Sequence, residues 1–533
     1  MTPTLNPVRN GEENSRPPAP EPSRVGLRFA AVLLGLGVLA ALLLIVPGTV
    51  GGTDGQSMFG VTRSIVESGA PTVRDANIGV PGLGGRFYSK YGPGQSLAAI
   101  PLYLIGRAVA PLAPPAYRPE LPGFVASTLP AIATALTTIL LVLAAVELGA
   151  AARGALVLGL IYAFATPAAV YPTQWFSEPL TACALLAAVY AVLRDRTRLT
   201  VRGPLLAGIA LAVAVSVRIE SLLFVPPLLL YILLPRERRL ARAAALLLPL
   251  GATLAALGLY NAARFGSPLE TGYSKGDRYA FRDTHPPHTL ASLVEGLYGL
   301  LVSPGKGLLE YAPPLLLAPL GIAAGWARRR PEILLLLALF LFDLVAHANV
   351  LIRWLGGWSW GPRFLVPALP LALLLLAPLL RVGRRYGRVL PVALATLVVA
   401  GVLATLVVAG VLVQVPALVV YEPHTYIYTL QAEHRHTDIT RLEQEYTNIP
   451  ALSPIVGAWR ELGLAKTWAP PPRESPTFLM HYTTIAPHTW WHLLALEGVP
   501  TAPLAAACAL LFLIAALCVG GASWLAPPES RDL

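Results

Sequence analysis

The feature of this sequence that most limits its fold is a series of long apolar runs separated by short clusters of arginine. The first run covers residues 27–46 and is long enough to cross a hydrocarbon core of about 30 Å. Hydrophobic residues make up 55% of the 533 residues and charged residues only 13%, which is too little polar surface for a soluble globular protein. We therefore predict an all-α polytopic membrane protein, since an open sheet would leave backbone groups unpaired in lipid.

The apolar runs predict about twelve transmembrane helices. The proposed spans are residues 27–46, 122–148, 153–172, 177–193, 203–217, 221–235, 241–262, 313–327, 332–350, 364–380, 389–416 and 501–525. A further apolar segment, residues 97–109, is short for a span and contains Pro101. We interpret it as a juxtamembrane helix that lies on the outer surface.

The arginine clusters predict the orientation of the chain. They lie at residues 194–202, 236–242, 328–330 and 381–388, and all four fall on one side if the proposed spans alternate. An excess of Lys and Arg marks the cytoplasmic side. Counting residues 97–109 as a span would put the N-terminal arginines on the opposite side from the clusters. Both termini are thus predicted to be cytoplasmic, in a protein of the cell inner (plasma) membrane.

The same reading divides the chain into five parts. We predict a disordered cytoplasmic N-terminus at 1–23, a transmembrane domain at 24–416 with its first outer loop at 48–121, a small extracytoplasmic domain at 417–500, a last transmembrane helix at 501–525 and a cytoplasmic tail at 526–533. The stretch YEPHTYIYTL in the small domain alternates polar and aromatic residues, which permits strands there.

Side chains suited to catalysis gather in the loops of the predicted outer side. A carboxylate such as Asp54, followed about 35 residues later by a cation such as Lys90, is what an enzyme needs if the carboxylate accepts a proton while the cation holds a phosphate leaving group. Glu178 lies at the outer mouth of a span, and Arg363 lies in an outer loop. Loop orientation explains the arginine clusters, so nucleic-acid binding is not predicted.

Several motifs, in a fixed order, resemble those of a known family. They are TDGQ at 53–56, YSKYGPGQSLAAIPLYL at 88–104, WFSEPL at 175–180, NAARFGSPLETGY at 261–273, GLLVSPGKGLLEYAPP at 299–314 and GGWSWGPRFLVPALP at 356–370. Over roughly residues 27–415 the chain resembles bacterial membrane glycosyltransferases of the GT-C superfamily, in the branch of the dolichyl-phosphate-mannose mannosyltransferases and aminoarabinose transferases. The resemblance implies that residues 24–416 form a GT-C-like catalytic domain.

The resemblance also implies an activity and roles for individual residues. The implied reaction moves a sugar from a polyprenyl-phosphate-linked donor to a lipid, glycan or protein acceptor on the extracytoplasmic face, with inversion. Asp54 matches the catalytic base of the first outer loop, and Glu178 matches a second acid. Lys90 and Arg363 match contacts to the donor phosphate. Gly55 stands where many relatives have a second acid, so a paired-carboxylate mechanism is not implied.

A further set of residues is predicted to line the pocket or contact the acceptor. These are Tyr91, Arg264, His285, His288 and Trp358. No cofactor or metal framework is predicted, although a divalent metal is left open, with His285 or His288 as ligands. The domain at 417–500 is expected to cover the pocket or to bind the acceptor. The glycines at 79–85 lack the strand-to-helix context of a nucleotide site, so a soluble nucleotide sugar is not the expected donor.

Each of these interpretations has a simpler alternative. Asp54 could be an ordinary solvated loop carboxylate, Lys90 could anchor the chain at lipid headgroups, and Glu178 could stabilise a helix N-terminus. Arg218 and Glu220 could do no more than pair with each other. The tryptophans at 354, 358 and 360 could belong to an interfacial aromatic belt.

The main rival for the whole chain is a transporter or a lipid or glycolipid flippase. Such a protein would have charged groups near the bilayer midplane, discontinuous helices and often a two-fold repeat. Asp343 and His347 are spaced to share one helix face within a span, and they point in that direction.

Overall fold

The structure, a computed structural model, describes residues 24–275, 288–350, 354–357, 359–381, 390–420, 439–464, 489–496 and 498–526. Within these ranges the chain is almost entirely helical. The α-helices are α1 (Arg24–Leu43), α2 (Thr53–Ser68), α3 (Gly94–Val109), α4 (Leu121–Ala126), α5 (Leu129–Glu147), α6 (Ala152–Phe164), α7 (Glu178–Asp195), α8 (Arg202–Val217), α9 (Val225–Leu233), α10 (Arg239–Phe265), α11 (Leu290–Leu301), α12 (Leu308–Tyr311), α13 (Ala318–Val345), α14 (Leu369–Leu374), α15 (Leu390–Val419), α16 (Ile439–Asn448), α17 (Pro454–Leu464), α18 (Trp490–Leu496) and α19 (Thr501–Leu525).

Shorter elements join these helices. The 3-10 helices are Leu83–Gly85, Ala110–Leu112, Pro115–Tyr117, Pro167–Ala169, Tyr171–Thr173, Ile219–Phe224, Tyr273–Lys275, Pro313–Leu317, Arg363–Leu365, Ala377–Leu380 and Pro450–Leu452, and Ala346–Val350 is a π-helical turn. The strands found in the described ranges are β1 (Val80–Pro81) and β2 (Phe87–Tyr88), an antiparallel pair with Val80 opposite Tyr88. Val73 bridges Phe87 on the other side of β2.

Seven helical segments within the described ranges are long and apolar enough to cross a membrane. They are Val25–Leu43, Gly94–Leu112, Leu121–Glu147, Arg239–Phe265, Pro313–Asn349, Val398–Val419 and Thr501–Leu525. An eighth is added if Ala152–Phe164 and Pro167–Thr173, which are bent by 66° relative to each other, count as one span. The all-α membrane fold is confirmed, while the count of twelve spans stays a prediction.

Two of these segments bear on particular predictions. Pro313–Asn349 has 37 residues and would be about 55 Å long as one helix, nearly twice a hydrocarbon core. The backbone of α13 leaves the helical region at Arg329, between the two spans proposed here.

The segment 97–109 is helical as expected and lies within α3. Because its length and composition also suit a span, its position on the outer surface stays a prediction.

The interior of the bundle is formed by α7, which packs between α5 and α8. Proline in the first turn of a helix fits the sequence here, because its missing N–H would have no helical partner there. Pro130 is the second residue of α5, and Pro179 is the second residue of α7. Gly208 allows α8 to touch α10, since a Cβ at this position would overlap the backbone carbonyl of Leu246.

Representatives of all four arginine clusters meet at one end of this bundle. The contacts are Arg196 Nη1 to Glu147 (2.9 Å), Arg196 Nε to Glu332 (3.6 Å), Arg242 Nη2 to Asp195 (3.9 Å), Arg329 Nη1 to Glu332 (3.9 Å) and Arg381 Nε to the carbonyl of Gly149 (3.0 Å). The prediction that the clusters share one side is therefore confirmed for these members. That this side is cytoplasmic remains a prediction.

The described part of the predicted outer domain consists of the helices α16, α17 and α18, and the stretch at 421–430 lies outside the described residues. Leu442 and Tyr446 of α16 pack against the rings of Tyr311 and Trp360. The side chains of Trp490 and Trp491 donate to the carbonyls of residues 43 and 44, at 2.8 and 2.9 Å. These two indoles satisfy carbonyl groups that the end of α1 leaves without helical partners.

Candidate active site

The predicted acids and two of the predicted cations meet at the end of the bundle opposite the arginine clusters. Helix α7 has 18 residues, from Glu178 to Asp195, and so spans about 27 Å. Asp195 belongs to the arginine end through Arg242, and Glu178 belongs to the other end. The separation is close to the thickness of a hydrocarbon core, about 30 Å.

Asp54 lies in the first turn of α2, and both of its carboxylate oxygens have partners. Tyr91 donates its hydroxyl to Oδ1 at 2.5 Å, and Arg363 Nη2 donates to Oδ2 at 2.8 Å. Burial alone would raise the pKa of Asp54, but the charge of Arg363 and the two hydrogen bonds outweigh it and hold the pKa below its usual range. Asp54 thus forms an ion pair with Arg363 and a hydrogen bond with Tyr91. This disagrees with the simpler alternative of a solvated loop carboxylate.

Glu178 is fully buried at the start of α7. Its Oε1 accepts from Arg218 Nη1 and from Arg363 Nε, each at 2.6 Å. Its Oε2 is buried and has no hydrogen-bond partner within the part of the chain that the structure describes. Arg218 also pairs with Glu220 at 2.5 Å. Arg218 and Glu220 do pair with each other, but Arg218 also binds Glu178, so the alternative that the two only pair with each other is wrong.

Arg363 is the centre of this network, because it joins Asp54 to Glu178. Its guanidinium also lies over the ring of Phe176, 3.9 Å from the centroid. Burial would lower the pKa of Arg363, but the charges of Glu178 and Asp54 raise it well above its usual value. In this structure Nε and Nη2 donate to the two carboxylates, and Nη1 donates to no residue that the structure describes.

The loop before Arg363 is fixed by a buried lysine. Lys306 Nζ donates to the carbonyls of Gly357 and Ser359, at 2.8 and 2.5 Å. Arg363 itself begins a short 3-10 helix. The hydrogen bonds of Lys306 before Arg363 and the 3-10 helix that begins at Arg363 therefore both fix the position of its guanidinium group.

Lys90 is a cation beside this network that forms no hydrogen bond or ion pair with any residue the structure places. Its Nζ lies 5.4 Å from the ring centroids of both Tyr91 and Tyr273. The preceding residue, Ser89, accepts from the hydroxyl of Ser57 at 2.9 Å, and its carbonyl accepts from Arg264. Lys90 is thus held on a fixed segment while its ammonium group is available to an anion.

The remaining predicted pocket residues are not part of the network. Arg264 is buried and holds the carbonyls of Ser89 and Tyr260, so it positions the segment that carries Lys90. His288 is exposed, and its Nδ1 lies 2.9 Å from the carbonyl of Asn349. His285 and Trp358 lie outside the described residues.

The expectation of an interfacial aromatic belt is wrong for two of the three tryptophans. Trp354 and Trp360 are buried, with exposed fractions of 6% and 0%. The indole of Trp360 donates to Gln414 at 2.8 Å and meets the ring of Tyr311 edge-on. Both side chains are core residues, and the indole N–H of Trp360 finds its partner inside the protein.

Asp343 and His347 share a helix face as predicted, with His347 Nδ1 3.2 Å from Asp343 Oδ1. The ring of His347 stacks on Phe364 with 4.9 Å between centroids. Phe364 directly follows Arg363, so this pair adjoins the network. It therefore lies beside the site and not on a separate path through the membrane.

Sequence reasoning did not single out Phe176 and Tyr273 as part of the site. The signal for Phe176 was its place in WFSEPL, two residues before Glu178. Tyr273 is the last residue of the motif at 261–273 and faces Lys90. Among the residues whose placement the structure gives, no group of three His, Cys, Asp or Glu side chains could hold a metal ion.

Helices and charge network together define a polytopic α-helical membrane protein with a buried acid and arginine site at one end of its bundle. No protein-family model and no curated protein match the sequence. The chain is similar to ArnT from Cupriavidus metallidurans in the apo state, with 16% identity over 93% of this chain and 76% of that chain and a TM-score of 0.48. The same protein bound to undecaprenyl phosphate gives 15% identity, 95% and 78% coverage and a TM-score of 0.46. A similarity at this level does not by itself establish a common activity.

Proposed function

We propose that this protein is a membrane glycosyltransferase that moves a sugar from a polyprenyl-phosphate-linked donor to a lipid, glycan or protein acceptor on the extracytoplasmic face. The observation that carries the proposal is the network itself. It places Asp54 and Glu178 on one guanidinium, with the unpaired ammonium of Lys90 beside them. The order of the sequence motifs supports the class of donor.

The proposed step is a displacement with inversion. The oxygen of an acceptor hydroxyl attacks the anomeric carbon on the face opposite the phosphate. A new carbon–oxygen bond forms while the bond from the anomeric carbon to the phosphate oxygen breaks, and its electron pair leaves on the phosphate. Asp54 accepts the hydroxyl proton. The leaving phosphate needs charge stabilisation more than protonation, which the ammonium of Lys90 would supply.

The two hydrogen bonds that Asp54 accepts suggest how binding of the donor makes Asp54 a stronger base. Both oxygens of Asp54 are occupied, and its pKa is low, so it is a weak base as it stands. A phosphate that arrives beside Lys90 would compete with Asp54 for Arg363 Nη2. Once Oδ2 is released, the pKa of this partly buried carboxylate rises and the oxygen can accept a proton. Glu178 keeps hold of Arg363 through Nε, so we assign it a positioning role.

The rival class of transporter or flippase predicts discontinuous helices, and the 66° bend after α6 is of that kind. The buried pair Asp343 and His347 was its other support, but this pair adjoins the acid and arginine site. We therefore retain the glycosyltransferase and let one experiment separate the two classes.

That experiment compares cells that lack the protein with cells that carry the wild type, Asp54→Asn or Asp75→Asn. Asp75 is the matched control, because it lies in the same predicted outer loop and, among the described residues, accepts only from the backbone of Asn77, at 2.8 Å. We expect mass spectrometry of extracted glycolipids and glycans to show one product with the wild type and Asp75→Asn that is lost with Asp54→Asn. All three proteins should be present in membranes in equal amounts.

Two results would reject the proposal. One is a product that persists unchanged with Asp54→Asn. The other is an unchanged set of glycans in all strains together with an altered distribution of a lipid between the two leaflets, which would favour the transporter class.

A further inference from the structure

An open cavity of about 560 Å³ lies between the C-terminal end of α2 and the small sheet that precedes Lys90. Arg74 and Arg86 line it, together with Ser68, Thr72 and Phe87. The cavity shares no lining residue with the acid and arginine network.

The two arginines are placed next to each other by the backbone. Val73 donates its N–H to the carbonyl of Phe87 at 2.9 Å, and the two residues form an antiparallel bridge. Arg74 follows Val73 and Arg86 precedes Phe87, so the antiparallel direction puts them opposite each other. Like charges in such a position are destabilising unless something compensates them.

Nothing in the described ranges compensates this charge. Arg74 and Arg86 are exposed, and neither guanidinium group forms a hydrogen bond or an ion pair with another described residue. The neighbouring acid, Asp75, uses its Oδ1 to accept from the backbone of Asn77, within its own turn. A compensating anion would therefore have to come from outside the chain.

The cavity is separate from the network and lies at the other end of α2 from Asp54. Ser68 and Asp54 lie near opposite ends of α2, about 21 Å apart at 1.5 Å per residue. Along the extended chain, Arg86 is about 13 Å from Lys90. One elongated headgroup at the membrane surface would therefore reach both places.

We infer that this cavity binds a phosphate group of a membrane amphiphile, held by Arg74 and Arg86. Guanidinium groups are planar forks that match phosphate oxygens in pairs. Ser68 and Thr72, whose hydroxyls hydrogen-bond to Ser64, also line the cavity. The phosphate has two sources, the glycosyl acceptor itself or an anionic phospholipid of the surrounding bilayer. Only the acceptor source rests on the proposed function.

The first test measures binding of glycerol 3-phosphate to the full chain in nanodiscs of phosphatidylcholine, by phosphorus NMR line broadening. Two double variants are compared, Arg74→Gln with Arg86→Gln, and Arg107→Gln with Arg118→Gln. The second pair removes the same charge from the same outer loop without touching the cavity. We expect the first pair to weaken binding at least about tenfold and the second to leave it unchanged. Equal weakening by both pairs, or no binding to the wild type, would overturn the inference.

The second test separates the two sources. If bulk phospholipid is the ligand, adding phosphatidylglycerol to the nanodiscs competes with glycerol 3-phosphate, and the cavity variants keep full transfer. If the acceptor is the ligand, phosphatidylglycerol does not compete. The cavity variants then raise the amount of extracted acceptor lipid needed for half-maximal transfer about tenfold, at unchanged maximal rate.

The result that supports neither source, with no competition and no change in transfer, would also reject the inference. A wild type that makes no glycosylated product would reject the proposed function alone. The binding and competition measurements would still decide on the cavity, so the two failures can be told apart.

Discussion

Asp54, the proposed base, accepts one hydrogen bond from Tyr91 and another from Arg363. Removing the first bond alone tests what it contributes to transfer. The change Tyr91→Phe deletes the donor to Oδ1 and leaves the contact with Arg363 in place. We expect transfer to fall about tenfold, because a hydrogen bond to a charged group contributes about 1.5–3 kcal/mol. The measurement is the rate of transfer in isolated membranes.

Tyr103→Phe is the matched control for this change. The hydroxyl of Tyr103 donates to Glu67 at 2.6 Å, which is a similar bond between α3 and α2 away from the site. Its loss should lower stability without changing the rate. An equal effect of both variants on transfer would show that Tyr91 acts only through the packing of the two helices.

Arg363→Gln tests the charge that sets the pKa of Asp54. Because that pKa is held below its unfolded value of about 3.9, the ion pair contributes its full stability at neutral pH and loses it as the pH falls through the folded value. Without Arg363, burial dominates and the pKa of Asp54 rises. We expect transfer to drop at least about a hundredfold, with the acidic limb of its pH profile moved to higher pH. An unshifted limb would contradict this account.

At the scale of elements, the geometry of the site depends on the packing of the start of α3 against the end of α8. A Cβ at Gly92, just before α3, would overlap the backbone carbonyl of Ser216, two residues before Arg218. We expect Gly92→Ala to cost about 1–3 kcal/mol and to reduce transfer, because Arg218 would move with α8. Thermal unfolding in detergent and the transfer rate measure the two effects.

Gly51→Ala provides the comparison, because a Cβ at Gly51 meets no atom within 4 Å. It should leave both the unfolding temperature and the rate as they are. If Gly92→Ala unfolds like the wild type, the contact between α3 and α8 does not fix the site.

The sequence was enough to predict an all-α membrane protein and the shared end of the arginine clusters, since run length and charge are local properties. It was not enough to predict that Arg363 joins Asp54 to Glu178. Asp54 and Arg363 are 309 positions apart, and only the packing of the bundle decides that they meet. The burial of Trp354 and Trp360 was missed for the same reason, since their partners come from distant helices.

At the scale of the whole molecule, the orientation in the membrane is the prediction on which the proposed reaction depends. Cysteines would be introduced as Asp75→Cys and Arg198→Cys, in a chain whose three native cysteines are replaced by alanine. We expect an impermeant maleimide to label position 75 in intact cells and position 198 only after permeabilisation, since arginine clusters stay in the cytoplasm. Labelling in the reverse order would place Asp54 in the cytoplasm and reject the extracytoplasmic reaction.

Helix α7 is fastened by ion pairs at both ends, through Glu178 and through Asp195. A helix of about 27 Å that is held by ion pairs at both ends cannot tilt freely when the length of the surrounding acyl chains changes. Hydrophobic mismatch would therefore strain one of the two sets of ion pairs. The protein would then work best in lipids of one chain length and lose turnover in thicker or thinner bilayers.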